Sequence, residues 1–222
     1  MQFSSNFKQA LQDYIFLLEK KYPQKTIHKM VSTHYSLDHF ERSVLFRGVT
    51  TKEKKDSRQK KIIQIEHLHN GTLHLDLFNV LFTIAAYLRG FPVYFAIDGF
   101  MRDASESHGN GEWSLHLEKS LELLIGYLSQ FKINKSIYYI DNPLENGKGI
   151  IDKLDANIEL LKNEIEIIAD PSPDHLILEA KEGIIATSDS SIIDKSILPV
   201  LDLPATVLYF HFEPKIISLE KF

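Results

Sequence analysis

Five aspartates stand where short apolar runs stop. Leu75 precedes Asp76, Ile97 precedes Asp98, Ile140 precedes Asp141, Ala169 precedes Asp170, and Thr187-Ser188 precede Asp189. If these runs are strands of one parallel sheet, their carboxyl ends share an edge, and open α/β sheets bind ligands at that edge. Acids far apart along the chain would then meet in space. Two ionised carboxylates 4 Å apart repel by about 4 kcal/mol at an effective dielectric near 20, so a cluster either protonates in part or takes up a cation. The chain has no cysteine. Hard oxygen donors favour Mg²⁺ or Mn²⁺ over Zn²⁺. A carboxylate-held metal activates water and stabilises a departing oxygen, which is the chemistry of phosphodiester hydrolysis. Asn79, one helical turn past Asp76, adds a neutral donor or ligand near the same spot.

Each acid also has an ordinary structural use. Asp76 is placed to cap a helix starting near Phe78. Asp98-Gly99 and Asp141-Asn142-Pro143 are turn formers, and Asp170 precedes Pro171. Ser191 to Asp194 has the spacing of a capping box, which makes Asp194 structural. The register of five together argues for a site; none does so alone.

The elements that would position these acids follow from periodicity. Residues 5–21 read as a helix, with Phe7, Leu11, Tyr14, Ile15 and Leu18 at three- and four-residue steps and Pro23 stopping the run. A second helix is expected after a Ser36 cap, carrying Leu37, Phe40, Val44 and Leu45 and ending at Gly48. Past residue 72 the pattern alternates. Apolar runs at Leu73–Leu75, Val93–Ile97, Ser136–Ile140, Ile165–Ala169, Ile184–Thr187 and Val207–Phe210 read as strands. Helical stretches fall between them at Val80–Leu88, Ser114–Phe131, Ile150–Asn163 and Ser191–Leu198. Strands separated by helices mean right-handed crossovers, so the expected fold is α/β, a mainly parallel sheet sandwiched by helices in three layers. Residues 1–70 are expected to form a helical, basic N-terminal extension, and 71–222 the α/β domain.

Composition narrows the function classes. The 222 residues are 44% hydrophobic and 25% charged, which excludes wholesale disorder. Absence of cysteine excludes disulfides, thiolate zinc sites and a cysteine nucleophile. No serine sits in a nucleophile-elbow pattern. No apolar run approaches the ~20 residues that span a bilayer, so no membrane role and a cytoplasmic location are expected. The net charge of −5 divides into +6 over residues 1–70 and −11 over 71–222. Lys52, Lys54, Lys55, Arg58, Lys60 and Lys61 carry much of the basic excess. Such a run is either a solvated face or a phosphate-contacting patch. Glu66, His67, His69, His74 and Asp76 invite a metal reading, but the Asn70-Gly71 turn breaks their geometry. Asn146-Gly147-Lys148-Gly149 lacks full phosphate-loop spacing and reads as a loop before a helix.

Specific motifs point further. Asp76-Leu77-Phe78-Asn79-Val80-Leu81 before a helix resembles the opening of PIN-like and NYN-like nuclease domains. Ala186-Thr187-Ser188-Asp189-Ser190 resembles their late strand, where Thr or Ser precedes an essential Asp. The span from about Val31 to Asp202 is similar to the group called domain of unknown function 434, with a PIN-like C-terminal part. The matching stretches are Tyr35 to Arg42 with Arg47, Asp76 to Leu81, Asp98 to Asp103, His108-Gly109, Asp141 to Pro143 and Thr187 to Ser190. Departures from the pattern are Leu77 in place of a glycine, His34 in place of an arginine, and Asn110-Gly111-Glu112-Trp113 in place of an aromatic-arginine pair.

The resemblance implies Asp76, Asp98, Asp141 and Asp189 as catalytic acids and metal ligands, with Asp103 as a further ligand. It implies substrate contacts from Asn79, Arg42, Arg47, Arg102, His108, Thr187, Ser188 and Ser190, the arginines through bidentate phosphate contacts. The expected activity is a Mg²⁺- or Mn²⁺-dependent nuclease acting on RNA or another nucleic acid held by the basic N-terminal segment; self-association stays open. The rival is a catalytically inactive PIN-like module that binds nucleotide, nucleic acid or a protein partner. A small-molecule phosphatase or nucleotidase stands third.

Overall fold

Thr72 to Asp76 (β2) forms the middle of the architecture, because Leu73 and Leu75 are fully buried on one face while His74 faces the other. The computed structural model describes residues 3–68, 70–105, 113–141 and 147–222. A six-stranded sheet contains Ile62–Ile63 (β1), β2, Lys135–Asp141 (β5), Glu164–Asp170 (β6), Ile184–Ala186 (β7) and Val200–Leu201 (β8). Its order is β1-β8-β7-β2-β5-β6, and every neighbouring pair is parallel. The α/β expectation with a mainly parallel sheet holds.

Helices cover both faces. Leu77–Leu88 (α5), Ser114–Leu128 (α6) and Leu203–His211 (α11) pack together with Leu73, Leu75, Tyr138, Ile140 and Ala186 in the largest core. Asp174–Glu179 (α9) and Ser190–Lys195 (α10) cover the opposite face, where Ile177 and Ile192 meet Tyr139 and Ile185. Gly147–Ala156 (α7) and Ile158–Leu161 (α8) lie between β5 and β6 in sequence and pack on α6. Gly183 sits at φ +97 just ahead of β7, where a Cβ would stand 2.3 Å from the Thr72 carbonyl oxygen. Glycine is required for β7 to approach β2 there.

Two expectations at this level are corrected. The run Val93–Ile97 does not join the parallel sheet. Val93–Phe95 (β3) pairs antiparallel with Met101–Asp103 (β4) and parallel with Ile217–Ser218 (β9) in a separate three-stranded sheet. Val207–Phe210 is not a strand but part of α11, nucleated by the Asp202 side chain accepting from the Ala205 amide, with Pro204 in the first turn.

The N-terminal segment holds four helices: Phe7–Glu19 (α1), Gln24–His34 (α2), His39–Gly48 (α3) and Lys52–Gln59 (α4). The start of α3 differs from the expected Ser36 cap. Asp38 accepts from the Glu41 amide and Glu41 accepts from the Asp38 amide, a complete capping box, while Ser36 turns the chain at φ 52. Helices α1 to α3 bury Phe7, Leu11, Tyr14, Ile27, Val31 and Leu45 in one cluster. Tyr94, Ala96 and Leu219 complete that cluster from the later chain. The helices and the small sheet therefore share a core.

Candidate functional site

The site is built from two strand-to-helix turns that lock onto each other. Asp76 ends β2, and α5 starts at once, which brings Asn79 one turn further. β7 ends at Ala186 beside Leu75, so Thr187 comes level with Asp76. Thr187 Oγ1 donates to Asp76 Oδ2 at 2.7 Å. Ser188 donates from its amide (3.0 Å) and its hydroxyl (2.6 Å) to Asn79 Oδ1. Asp189 caps α10, with Oδ1 accepting from the amides of Ser191 and Ile192. Asp76 occupies the cap position of α5, yet its side chain makes no cap hydrogen bond. Its carboxylate is turned to Thr187 instead.

This placement is electrostatically uncomfortable. Burial pushes the Asp76 carboxyl up to about 7, and the nearby charges of Asp189 and Asp174 add to the rise, against the opposing Thr187 hydrogen bond and the pull of the Asn79 amide. Asp174, at the start of α9, is raised by burial and then by Asp189 and Asp141, with Lys195 and His175 opposing. Asp141 is exposed at the end of β5, in register with Asp170 of β6. Asp76, Asp141, Asp174 and Asp189 thus lie in one negative region. Asp174 escaped the sequence reading because it follows Pro173 inside a helix start rather than ending a strand. Among the described residues, no three acids or histidines already form a cage for a metal ion. The donor set, all carboxylate, amide and hydroxyl oxygens, suits a hard cation in kind.

Asp98 and Asp103 belong elsewhere. Asp98 is 1% exposed and follows β3 of the small sheet. Its two oxygens accept from Arg102 at 2.7 and 2.8 Å, and Oδ2 also accepts from Arg58 at 2.7 Å. Burial works against the charge, but Arg102 and then Arg58 hold the carboxyl below its usual range. Two guanidiniums satisfy it, so Asp98 is a structural anion, a correction to its expected place at the shared strand edge. Asp103 in β4 is buried, accepts from the amide and hydroxyl of Ser105, and lies 3.7 Å from Arg47. It too stands outside the acidic group. His74 is buried between the Tyr139 hydroxyl (3.0 Å) and the Glu182 carbonyl (3.1 Å), a core histidine.

A cleft of about 660 Å³ opens between the N-terminal helices and the α10 turn. Asn79, Ser188, Asp189 and Ser190 line one wall, and Arg47, Lys54, Arg58 and Arg102 are among the residues lining the rest. Asp76 and Thr187, bonded to each other, do not line it. Arg47 donates to the Ser105 carbonyl at 3.1 Å and stays exposed. Arg42 is outside the cleft, its Nε donating to the Leu37 carbonyl at 2.8 Å. His108 lies outside the described residues, as do Asn142 and Pro143.

The basic run has partners of its own. Five of its six side chains are engaged: Lys52 with Asp56, Lys54 with Asp194, Lys55 with Glu220, Arg58 with Asp98 and Asp194, and Lys61 with the carbonyls of Ile193, Asp194 and Ser196. Asp194 is structural, as expected, but through Arg58 and Lys54 rather than a cap. Against the cost of burial, those two partners hold its carboxyl down at about 2.

Comparison with known proteins places this geometry in a family. The family described as Domain of unknown function (DUF5616) matches residues 65–206, five of the six parallel strands and the acidic edge together. The chain belongs to this family. Residues 6–61 are matched separately by Protein of unknown function (DUF434). The resemblance expected over Val31 to Asp202 therefore divides between two families, DUF434 on the helices and DUF5616 on the α/β part. The chain is 24% identical over 206 residues to the uncharacterized protein MJ0935 of Methanocaldococcus jannaschii, a match covering 92% of this chain and 98% of that relative. No solved structure matches.

Proposed function

We propose that this DUF5616 member hydrolyses phosphodiester bonds in nucleic acid, RNA first, in the manner of a PIN-like nuclease dependent on Mg²⁺ or Mn²⁺. The observation that carries the reading is Asp76, held near pKa 7 by burial and by Asp189 and Asp174 beside a cleft with cationic side chains. Bound there, a divalent cation would polarise the phosphoryl oxygen and lower the pKa of a coordinated water. Asp76, Asp189, Asp174 and Asp141 would hold it. Asn79 and Ser188 fix the two turns against each other, Thr187 orients Asp76, and Arg47 with Ser190 faces the substrate phosphate. Asp98, Asp103 and Arg102 have a supporting part, through their own ion pairs and hydrogen bonds.

The test is cleavage of end-labelled single-stranded RNA with Mn²⁺ present. Asp76→Asn and Asp189→Asn are each expected to lower the rate by at least ~100-fold, and equal rates in wild type and variants would remove both residues from the chemistry. A non-catalytic nucleotide- or nucleic-acid-binding module is the second reading, favoured by the lack of a ready cation cage among the described residues. Calorimetric titration with Mn²⁺ separates the two. Heat that vanishes in Asp76→Asn goes with the hydrolase, and none in wild type goes with the module.

A further inference from the structure

The cleft does not end at its own rim. Lys21 and Tyr22 line both it and a neighbouring depression of about 520 Å³ that also holds Phe16, Lys20 and Pro23. Three large aromatic rings stand in these two hollows with unusual exposure: Phe16 at 60%, Tyr22 at 57% and Phe46 at 39%. Cations are interleaved with them. The Lys20 ammonium lies 5.5 Å above the Phe16 ring, Lys21 adjoins Tyr22, and Arg47 follows Phe46. Among the described residues, no acid lines the outer depression. The acids that line the cleft, Asp189 and Asp194, are on α10 and its cap, and Asp194 is already paired with Arg58 and Lys54.

Exposed aromatic faces alternating with cations suit one class of ligand in particular. An uncharged apolar partner gains nothing from the cations between them, and an anionic lipid surface needs a continuous apolar face to insert, which three rings spread over two hollows do not make. An unpaired nucleotide chain uses both, because every base has a face to stack and every link carries a negative phosphate. A duplex hides its base faces within its own stack and cannot reach the rings. The charge the track offers does not depend on the basic run of α4, whose side chains are mostly engaged within the protein.

The geometry points to a binding track for single-stranded polynucleotide that runs from the Phe16 depression across Tyr22 and Phe46 into the cleft. Bases stack on the rings, Lys20 and Lys21 take the phosphates, and Arg47, though it bonds the Ser105 carbonyl and lies 3.7 Å from Asp103, adds an exposed cation at the inner end. The track leads to the Asp189 wall. Any chemistry after binding therefore rests on the proposed nuclease function, while binding itself requires no hydrolysis. Stacking ignores the sugar, so ribo- and deoxyribo-oligomers are held alike.

The experiment is fluorescence anisotropy of the full chain with labelled oligouridylate and oligothymidylate in EDTA, where no metal-dependent turnover occurs. Both should bind, and the affinity should fall steeply with salt. Phe46→Ala and Tyr22→Ala should each weaken binding about tenfold, and Phe46→Trp and Tyr22→Trp should restore it. Tyr22 is mostly exposed, so Tyr22→Ala should leave the melting temperature in place, and Phe46→Trp separates lost stacking from the edge contact that Phe46 makes with His28 at 5.1 Å. The double change Lys20→Glu with Lys21→Glu should flatten the salt slope by about 1 to 2. Indifference to the aromatic truncations overturns the track, as does failure of both oligomers to bind. Equal competition by polyglutamate overturns it too, since that marks a general polyanion surface. The two readings fail separately. Oligomer binding that depends on Phe46 and Tyr22 without cleavage in any metal sinks the hydrolase and keeps the track; cleavage with binding blind to those rings does the reverse.

Discussion

Asp76 serves two opposed ends at the residue scale. Its carboxyl titrates near 3.9 in an unfolded chain and about 7 in the fold. Between those values the folded protein holds more protons than the unfolded one, so Asp76 makes stability decline as pH rises from about 4 to 7. Asp202 adds to the same slope: burial raises it to about 7, although it accepts from the amides of Met101 (2.6 Å) and Ala205 (3.3 Å). Asp76→Asn is expected to be more stable than wild type at pH 8 by ~2 kcal/mol and nearly equal at pH 4. Urea unfolding at the two pH values measures this, and a variant less stable at pH 8 contradicts the burial argument. Under the proposed function, Mn²⁺ should raise the melting temperature of wild type and leave Asp76→Asn unmoved.

At the scale of elements, α4 is a strap. Its one buried side chain, Arg58, bonds Asp98 on one side and Asp194 on the other, tying the N-terminal helices to the small sheet and to α10 at once. Arg58→Met leaves Asp98 with Arg102 alone and Asp194 with Lys54 alone, removing three charge-assisted hydrogen bonds, and should cost ~3 kcal/mol in denaturant unfolding. Asp194 and Asp98 are both held below their ordinary values, so the stability they confer is complete above about pH 4 and fades as pH falls, for Asp194 through about 2. In Arg58→Met that acid limb should be shallower.

The sequence shows the charges of α4 but not their partners, because Asp98, Asp194 and Glu220 lie far along the chain. Unpaired and paired lysines look alike until the fold is known. For the same reason Val93–Ile97 looks like one more parallel strand, since a strand's apolar run does not say which sheet it joins. The α11 helix is more legible than its aromatic and β-branched residues suggest: Asp202 followed by Pro204 is a helix start. Helix α2 leaves a fainter trace, with only Ile27 and Val31 as its buried apolar residues.

The whole molecule has its apolar interior in several clusters rather than one. Leu73, Leu75, Tyr138 and Ile140 alternate visibly, so the central sheet is readable from spacing alone. The second cluster is not, because Tyr94 and Leu219 meet Phe7 and Leu45 only through long-range packing. Gly48 records how close that packing is: a Cβ there would stand 2.7 Å from Leu219 Cδ1 and 2.8 Å from Tyr94 Cε2. Residues 62–222 expressed alone should therefore expose Tyr94, Ala96 and Leu219 and form soluble aggregates, which light scattering detects. A monodisperse, cooperatively melting fragment contradicts the shared core.

The seam between the two matched families runs through β1. Ile62 and Ile63 pair with Val200 and Leu201, and the Val200 amide donates to the Lys61 carbonyl at 2.7 Å. The join is thus woven into a hydrogen-bonded ladder instead of hanging free as a tether. Swinging the helical half away from the acidic edge would mean peeling off an edge strand, so the two walls of the cleft are fastened to each other by backbone and not by side chains alone.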